Sequence, residues 1–344
     1  MWPKVTIVTP ALNAASVLEL ELKSILDQDY PREKIEIIVG DGGSSDRTVQ
    51  IAKKYGAKVV SNPLRTGESG KMAAFRYATG EYTALIDTDN ILPSSSWLKE
   101  MIKPLMENPE AVGSEPWSYT WRKMDGFITR YCALIGMNDP LVSFLGNYDR
   151  MNTLTRKWTE IPHNERDMGN YILVTFDKRG VPTVGANGSV FRTAFLRDNV
   201  KGDYLFDIDV VSDYVSKRGS ATYIKVKNGI VHTYCERSIS KFVSKQRRRV
   251  VDFLYHQQST KKRVYDWYSM DIVGKKSRGM FEFVLSCLTL FPLIIQSVKG
   301  YLRKNDIAWF FHPLACEITL WVYAWHRIFS FLNNSEYSRD NWKQ

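Results

Sequence analysis

Cysteine is scarce in this chain of 344 residues: Cys132, Cys235, Cys287 and Cys316 are the four, and no two stand at C-x-x-C spacing. That scatter excludes a zinc-site or disulfide framework and predicts free, buried thiols. No internal repeat or low-complexity segment appears. A charged-then-apolar leader is also missing, because Met1-Trp2-Pro3-Lys4 runs straight into the strand-like Val5-Thr6-Ile7-Val8. The expectation is a catalytic part that stays in the cytoplasm. With 44% hydrophobic residues the chain has enough apolar material for one large α/β domain with an appendage.

Positive charge is present but unevenly spread. The net charge is +10, and Lys241 to Arg278 carries eleven Lys or Arg against three Asp, a local excess of +8. No nucleic-acid module accompanies this cluster, whereas apolar segments follow at once. Anionic lipid headgroups are therefore the expected partner and nucleic acid is not. Met280 to Val298 carries only Glu282 as a charge and contains Pro292; Ile307 to Leu332 is rich in Trp and Phe but holds Glu317 and Arg327. Spanning, re-entrant and interfacial arrangements all fit these lengths, and the Trp cluster favours an interfacial place for the second segment.

The first hundred residues alternate strand and helix patterns in the manner of a doubly wound, mostly parallel sheet. Strands are expected at Val5–Val8, Ile35–Val39, Lys58–Val60 and Glu81–Ile86, with helices at Ala15–Gln28, Asp46–Tyr55 and Gly70–Thr79. From Ala111 to about Val181 the pattern turns irregular and aromatic, which predicts a helical and looped insert. Ala221 to Val231 reads as strand, turn and strand around Asn228-Gly229. Ligands of such sheets bind outside the carboxyl ends of the strands. Thr9-Pro10, Asp41-Gly42-Gly43 and Asp87-Thr88-Asp89 all fall there. A strand that ends in Asp-x-Asp offers hard oxygen ligands to Mg²⁺ or Mn²⁺, and such an ion bridges readily to a diphosphate. Taken alone the pair is a weak signal; its neighbours give it weight.

Five ordered motifs supply that weight: Ile7-Val8-Thr9-Pro10-Ala11-Leu12-Asn13, Ser24 to Pro31, Ile37 to Thr48 with Asp41 at its centre, Ala78-Thr79-Gly80-Glu81-Tyr82, and Asp87-Thr88-Asp89. Together they resemble the donor half of a family 2 glycosyltransferase with the GT-A fold. The resemblance covers the first hundred residues well and continues weakly to about Arg249. With the charge and hydropathy pattern it gives four expected segments: a nucleotide-sugar half at 1–110, an acceptor-binding and catalytic half at 111–240, a basic helical linker at 241–279 and apolar membrane-associated helices at 280–344. It also implies that Asp41 holds the donor base, with Thr9 and Pro10 as neighbouring floor and Lys71 near the base or phosphates. Asp89 would be a direct ligand of Mn²⁺ or Mg²⁺, Asp87 would lie nearer the ribose or metal-bound water, and His232 would reach the metal or diphosphate.

Inverting transfer needs a base for the acceptor hydroxyl. The matching place holds Phe206-Asp207-Ile208-Asp209 instead of a clean acidic pair, so both Asp207 and Asp209 are candidates, with Asp209 narrowly preferred. Gln246-Arg247-Arg248-Arg249-Val250 is similar to the Q-x-x-R-W signature of processive members, but Val250 replaces the aromatic. That loss weakens polymer synthesis as an activity and leaves the arginines to grip a diphosphate or lipid phosphate. The leading expectation is an inverting, metal-dependent transfer from a nucleotide-sugar to a membrane-held acceptor, such as a polyprenyl-linked glycan, at the cytoplasmic face. The alternatives are a polyprenyl (dolichyl) phosphate glycosyl synthase and a silent nucleotide-sugar or membrane-binding scaffold. A sugar nucleotidyltransferase fits less well, because β-strand Val5–Val8 opens into Thr9-Pro10 and not into a Gly-rich loop bearing Arg and Lys.

Overall fold

The computed structural model describes residues 1–258 and 275–333, which fall into two compact units, 1–122 with 161–233 and 123–160 with 234–344. This partition cuts across the four consecutive segments read from the sequence, since each unit is built from separated stretches of chain. Lys261, Lys262 and Arg263 of the basic stretch lie outside the described residues.

The first unit is one ten-stranded sheet with helices packed on it. Its first half is parallel, as the continuous apolar runs predict: β1 (Val5–Ala11) lies between β2 (Ile35–Asp41) and β4 (Tyr82–Leu85), and β3 (Lys58–Ser61) borders β2. The expected helices are present but shorter, α1 at Leu18–Leu26, α2 at Thr48–Lys54 and α3 at Gly67–Phe75. Thr66 and Ser69 form a capping box that starts α3 one turn earlier than the sequence suggests. The β4 strand leads through the two-residue β5 (Asn90–Ile91) to α4 (Trp97–Glu107).

Beyond α4 the expectation of a helical and looped insert at 111–181 holds for residues 121–163 and is wrong toward both ends, which are strands. Residues Ala111–Thr120 form β6, which with β7 (Asn164–Asp167) and β8 (Tyr171–Asp177) belongs to the sheet. The expected strand, turn and strand at 221–231 is instead one strand, β10 (Ser220–His232). Asn228-Gly229 does not turn the chain there, because the register shift between Val226 and Gly229 absorbs it as a bulge against β6. The sheet is therefore mixed, not mostly parallel. β9 (Ser189–Arg192) runs antiparallel to both β4 and β6, β8 runs antiparallel to β10, and β10 itself is parallel to β6. Between β9 and β10 come α7 (Thr193–Asn199) and α8 (Asp207–Arg218).

The face of α1 that meets the sheet carries a polar ladder. Glu21, Ser24 and Gln28 recur at helical spacing, and each is buried. Ser24 Oγ accepts from Leu92 N at 3.1 Å, while Gln28 donates to Ser94 O at 2.8 Å and accepts from Leu98 N at 2.9 Å. These bonds pin the segment just after Asp-x-Asp. Glu21 Oε1 accepts from Thr9 Oγ1 at 2.6 Å, and its Oε2 has no hydrogen-bond partner. Burial pushes the Glu21 carboxyl well above its usual range, and the nearby Asp87 and Asp89 charges add to that against the Thr9 hydrogen bond.

The second unit is helical: α5 (Phe127–Ile135), α6 (Pro140–Leu145), α9 (Ile239–Gln258), α10 (Lys275–Thr289), α11 (Phe291–Arg303) and α12 (His312–Asn333). Leu141, Phe283, Cys287, Leu293 and Cys316 form a shared core within it. All four cysteines are free and buried, as expected.

A neutral Glu21 has a measurable consequence. A carboxyl whose folded pKa is raised holds its proton in the folded chain and loses it in the unfolded one above about 4.3. Its contribution is fully present below that value and is lost as pH rises through the folded pKa. Glu21→Gln keeps the acceptor for Thr9 and has no proton to lose. Its melting temperature relative to the parent should rise between pH 5 and pH 8, with a stability gain of about 1.4 kcal/mol for each pH step of one up to the folded pKa. A difference that stays flat over that range would show Glu21 to be ionised.

Candidate active site

At the carboxyl ends of β1 and β2 the loops are tied to each other before any ligand arrives. The Asp41 carboxylate accepts from Gly43 N at 3.0 Å, Ser44 N at 3.1 Å and Ser44 Oγ at 2.6 Å. Asn13 Oδ1 accepts from Ser45 N at 2.9 Å, and Asp46 accepts from Ala15 N at 3.1 Å. Asp41 is thus the organiser of its own loop, with Thr9 buried beside it and Pro10 half-buried. The Thr9 hydroxyl is committed to Glu21, so the floor it forms offers backbone and methyl more than a free hydroxyl.

Lys71 lies in the second turn of α3 and is buried, which is not where a surface lysine would be. It gets there because α3 sits unusually close to β2: a Cβ added to Gly40 would stand 2.2 Å from the Gly70 carbonyl oxygen. Its ammonium lies 3.0 Å from an Asp87 carboxylate oxygen and also pairs with Asp207. Burial alone would lower the lysine's pKa, but Asp207 and Asp87 outweigh it and hold the group charged. The Asp87 carboxyl is raised by burial and by its Asp207 and Asp89 neighbours, against the pull of Lys71.

Asp89 has a different partner. His232 Nε2 lies 3.2 Å from Asp89 Oδ2, and the two chain segments are held together by Thr233 N donating to Asp89 O at 2.8 Å. Of the expected metal set, Asp89 and His232 come together and Asp87 belongs to Lys71. Among the described residues no cluster of three or more His, Cys, Asp or Glu is placed to hold an ion. The Asp89 and His232 pair does fit one as two ligands. Adjacent corners of an octahedral ion with bonds of about 2.1 Å lie about 3.0 Å apart, close to the gap between these two atoms. One oxygen and one imidazole nitrogen suit Mn²⁺ better than the all-oxygen preference of Mg²⁺.

Asp207 is the first residue of α8 and Asp209 shares that first turn. Of the two candidate bases, Asp207 is the one that pairs with Lys71. Asp209 is buried, and its N–H donates to Phe206 O at 3.0 Å. The start of α8 is set by the turn before β9: Gly185, at φ 120°, passes so close that an added Cβ would stand 2.2 Å from Asp207 O. Glu115 and Lys225, neighbours on β6 and β10 and both fully buried, fix that turn. Lys225 donates to Glu115 Oε1 at 2.6 Å, and Glu115 Oε2 accepts from Gly185 N at 3.0 Å and Ser189 Oγ at 3.2 Å.

Sequence reasoning missed a chain of polar groups that closes round Asp-x-Asp. Asn90 Oδ1 accepts from Asp87 N at 3.1 Å, and Asn90 Nδ2 donates to Asn187 Oδ1 at 3.2 Å. Asn187 donates in turn to Tyr119 OH at 3.0 Å, and the Tyr119 ring lies 5.7 Å from that of His232. The available signal was Asn187 between Gly185 and Gly188, a turn whose left-handed backbone (φ 50° at Asn187) suits asparagine.

Arg249 departs from its expected role in the second unit. It donates to Gln246 Oε1 at 2.8 Å and lies 3.8 Å from Asp139, while Tyr323 OH donates to Asp139 Oδ2 at 2.6 Å. That arginine joins helices instead of standing ready for a phosphate. Arg247 and Arg248 are exposed.

Comparison with known proteins bears on the fold and on the first part of the chain. Residues 6–130 match the model of glycosyl transferase family 2. The probable glycosyltransferase YdaM of Bacillus subtilis is 31% identical over 119 residues, 32% of this chain and 28% of that protein. The poly(ribitol-phosphate) beta-N-acetylglucosaminyltransferase TarS of Staphylococcus aureus is 30% identical over 95 residues, 26% of this chain and 17% of that protein. The match thus spans less than a third of either relative's length. Among solved structures, the mannosyltransferase PcManGT from Pyrobaculum calidifontis in complex with GDP-Man and Mn²⁺ shares the fold. It superposes with a TM-score of 0.50 at 16% identity over 95% of this chain and 88% of that one. Motifs, sheet and family model converge on one stretch of chain: residues 6–130 match the glycosyl transferase family 2 model.

Proposed function

We propose that this protein is an inverting, metal-dependent glycosyltransferase that moves one sugar from a nucleotide-diphosphate sugar to an acceptor held at the cytoplasmic face of a membrane, such as a polyprenyl-linked glycan. The observation that carries the transfer reading is the convergence of Asp87, Asp89, Lys71, Asp207 and His232 at one end of the sheet. In this reading the donor base lies over Thr9, Pro10 and the Asp41 loop. Asp207 takes the proton of the acceptor hydroxyl as that oxygen attacks the anomeric carbon, and the nucleoside diphosphate leaves. Lys71 holds Asp207 in place and offers its ammonium to the departing phosphates. A divalent cation held by Asp89 and His232 would neutralise the diphosphate.

The membrane-held acceptor is supported by the second unit. Among the described residues, Ile307–Phe329 is long and apolar enough to cross a bilayer, and Trp321, Trp325, Ile328 and Phe329 are exposed on it. Arg247 and Arg248 would meet anionic headgroups.

Screening nucleotide-sugars for metal-dependent hydrolysis is the direct test of the activity. Asp89→Ala should abolish Mn²⁺-dependent donor binding in titration calorimetry while shifting the melting temperature little, because Asp89 is partly solvent-facing. Unchanged Mn²⁺-dependent binding in that variant would remove the metal assignment.

For the base, Asp207→Asn should cut kcat by about 10²-fold or more, because the proton transfer it serves occurs in the transition state. Asp209→Asn should stay within a few-fold of the parent. The opposite order would move the role to Asp209 and leave the mechanism otherwise intact.

A further inference from the structure

Helices α10 and α11 have two apolar faces each. The inward faces bring Phe283, Cys287 and Leu293 into the core of the second unit. The outward faces stay uncovered, and Leu285, Leu288, Leu290, Phe291, Ile294 and Ile295 are all exposed. The helices meet at a sharp break: Leu290 takes a left-handed backbone at φ 58°, Pro292 sits in the first turn of α11, and the axes bend by 97°. An exposed apolar stripe that runs through a bend onto a second helix exceeds what an isolated soluble surface carries.

The charge pattern says what covers it. No charged residue occurs from Phe283 to Val298, the stretch centred on the bend. Basic residues come at the far end of each arm, Lys275, Lys276 and Arg278 at the start of α10, where Arg278 pairs with Glu282 at 2.7 Å, and Lys299 and Arg303 in the last turns of α11 with Lys304 just beyond it. Neutral at the bend and basic at both ends is the polarity of one anionic leaflet, read from its acyl chains out to its headgroups.

We propose that the α10–α11 pair is a wedge that enters a single anionic leaflet bend first, with Leu288 to Ile295 as its deepest part and without crossing to the other side. This rests on the membrane-surface reading above and specifies how the surface is held. From Leu290 to Arg278 there are twelve residues, an arm of about 18 Å at 1.5 Å per residue. The two arms enclose roughly a right angle, so symmetric entry carries the bend to a depth of about 13 Å, against about 15 Å for half of a hydrocarbon core. The bend therefore stops within the leaflet it entered, and the basic ends remain at headgroup depth.

The test uses the full chain and vesicles of equal phosphatidylglycerol and phosphatidylcholine. The described native cysteines are buried, so a bimane label goes to the introduced thiol of Phe291→Cys, with Ser240→Cys on α9 as a control. Nitroxide placed mid-chain should quench the label at 291 more than nitroxide at the headgroup, and mid-chain nitroxide should not quench it at 240. The Leu288→Asp/Phe291→Asp variant should lose vesicle flotation at least tenfold while its melting temperature stays near the parent's, since both side chains are exposed. If the parent floats but the double variant floats equally well, or the label at 291 is quenched only from the headgroup, the wedge is wrong and the membrane reading stands. If the parent itself does not float, both fall.

Discussion

Crowding acids at the end of a sheet is the constraint round which the first unit is organised. Asp87, Asp89 and Asp207 share a small region, and Glu21 lies buried within range of the first two. Like charges this close, partly withdrawn from water, require compensation. Each receives it differently. Lys71 serves Asp87 and Asp207 together, His232 serves Asp89, and burial pushes the Glu21 carboxyl well above its usual range. The backbone follows from these choices. Bringing Lys71 to Asp87 requires α3 to touch β2, which the Gly40 and Gly70 contact permits; bringing Asp207 to Lys71 requires the start of α8 to pass over Gly185. The buried Glu115 and Lys225 pair then has a clear reason to exist despite its desolvation, because Glu115 uses its second oxygen to hold the turn on which α8 rests.

What the sequence made legible follows the same physics. Strands β1, β2 and β4 announce themselves as short, mostly apolar runs, because strands covered on both faces have little polar side to show. The loops at their ends were equally readable, since Asp, Asn, Gly and Ser in turns act through their own nearby backbone, as Asp41 does with Gly43 and Ser44. β6 was not readable. Its buried Glu115 looks like a surface residue until Lys225, 110 positions away, is placed beside it. Lys71 posed the same problem, as its partner Asp207 lies 136 residues further on. Asn228-Gly229 carried a turn signal that β10 overrode, because pairing with β6 and β8 on either side outweighs a local preference.

The helical unit carries its information in faces instead of runs. Met280 to Val298 looks like one apolar segment when counted by composition, yet Pro292 divides it and burial splits each resulting helix into an inner and an outer face. Composition cannot separate these faces, because both are apolar. The basic stretch divides similarly. Gln246 and Arg249 face inward to Asn138, Asp139 and Tyr323, while Arg247 and Arg248 face out. A four-residue signature thus contains two residues that hold helices together and two that meet the surroundings.

Charge also bears on the ion that the proposed reaction requires. Three carboxylates and one ammonium leave the cluster net negative, the wrong sign to welcome a nucleoside diphosphate. Lys71 is already shared between two acids, so its charge is largely spent within the protein, and the imidazole of His232 is turned toward Asp89. A second ammonium in place of His232 would have offset one more of the acids and left less to hold a cation. An imidazole beside a carboxylate keeps a place where a divalent ion is welcome, and such an ion reverses the local sign where the phosphates must sit. Glu21 bears on that balance through burial, which raises its carboxyl well above the usual range and so works against a further negative charge under Asp87 and Asp89. One divalent ion matches the two charges by which the three carboxylates exceed Lys71, and so removes the field that would repel the phosphates.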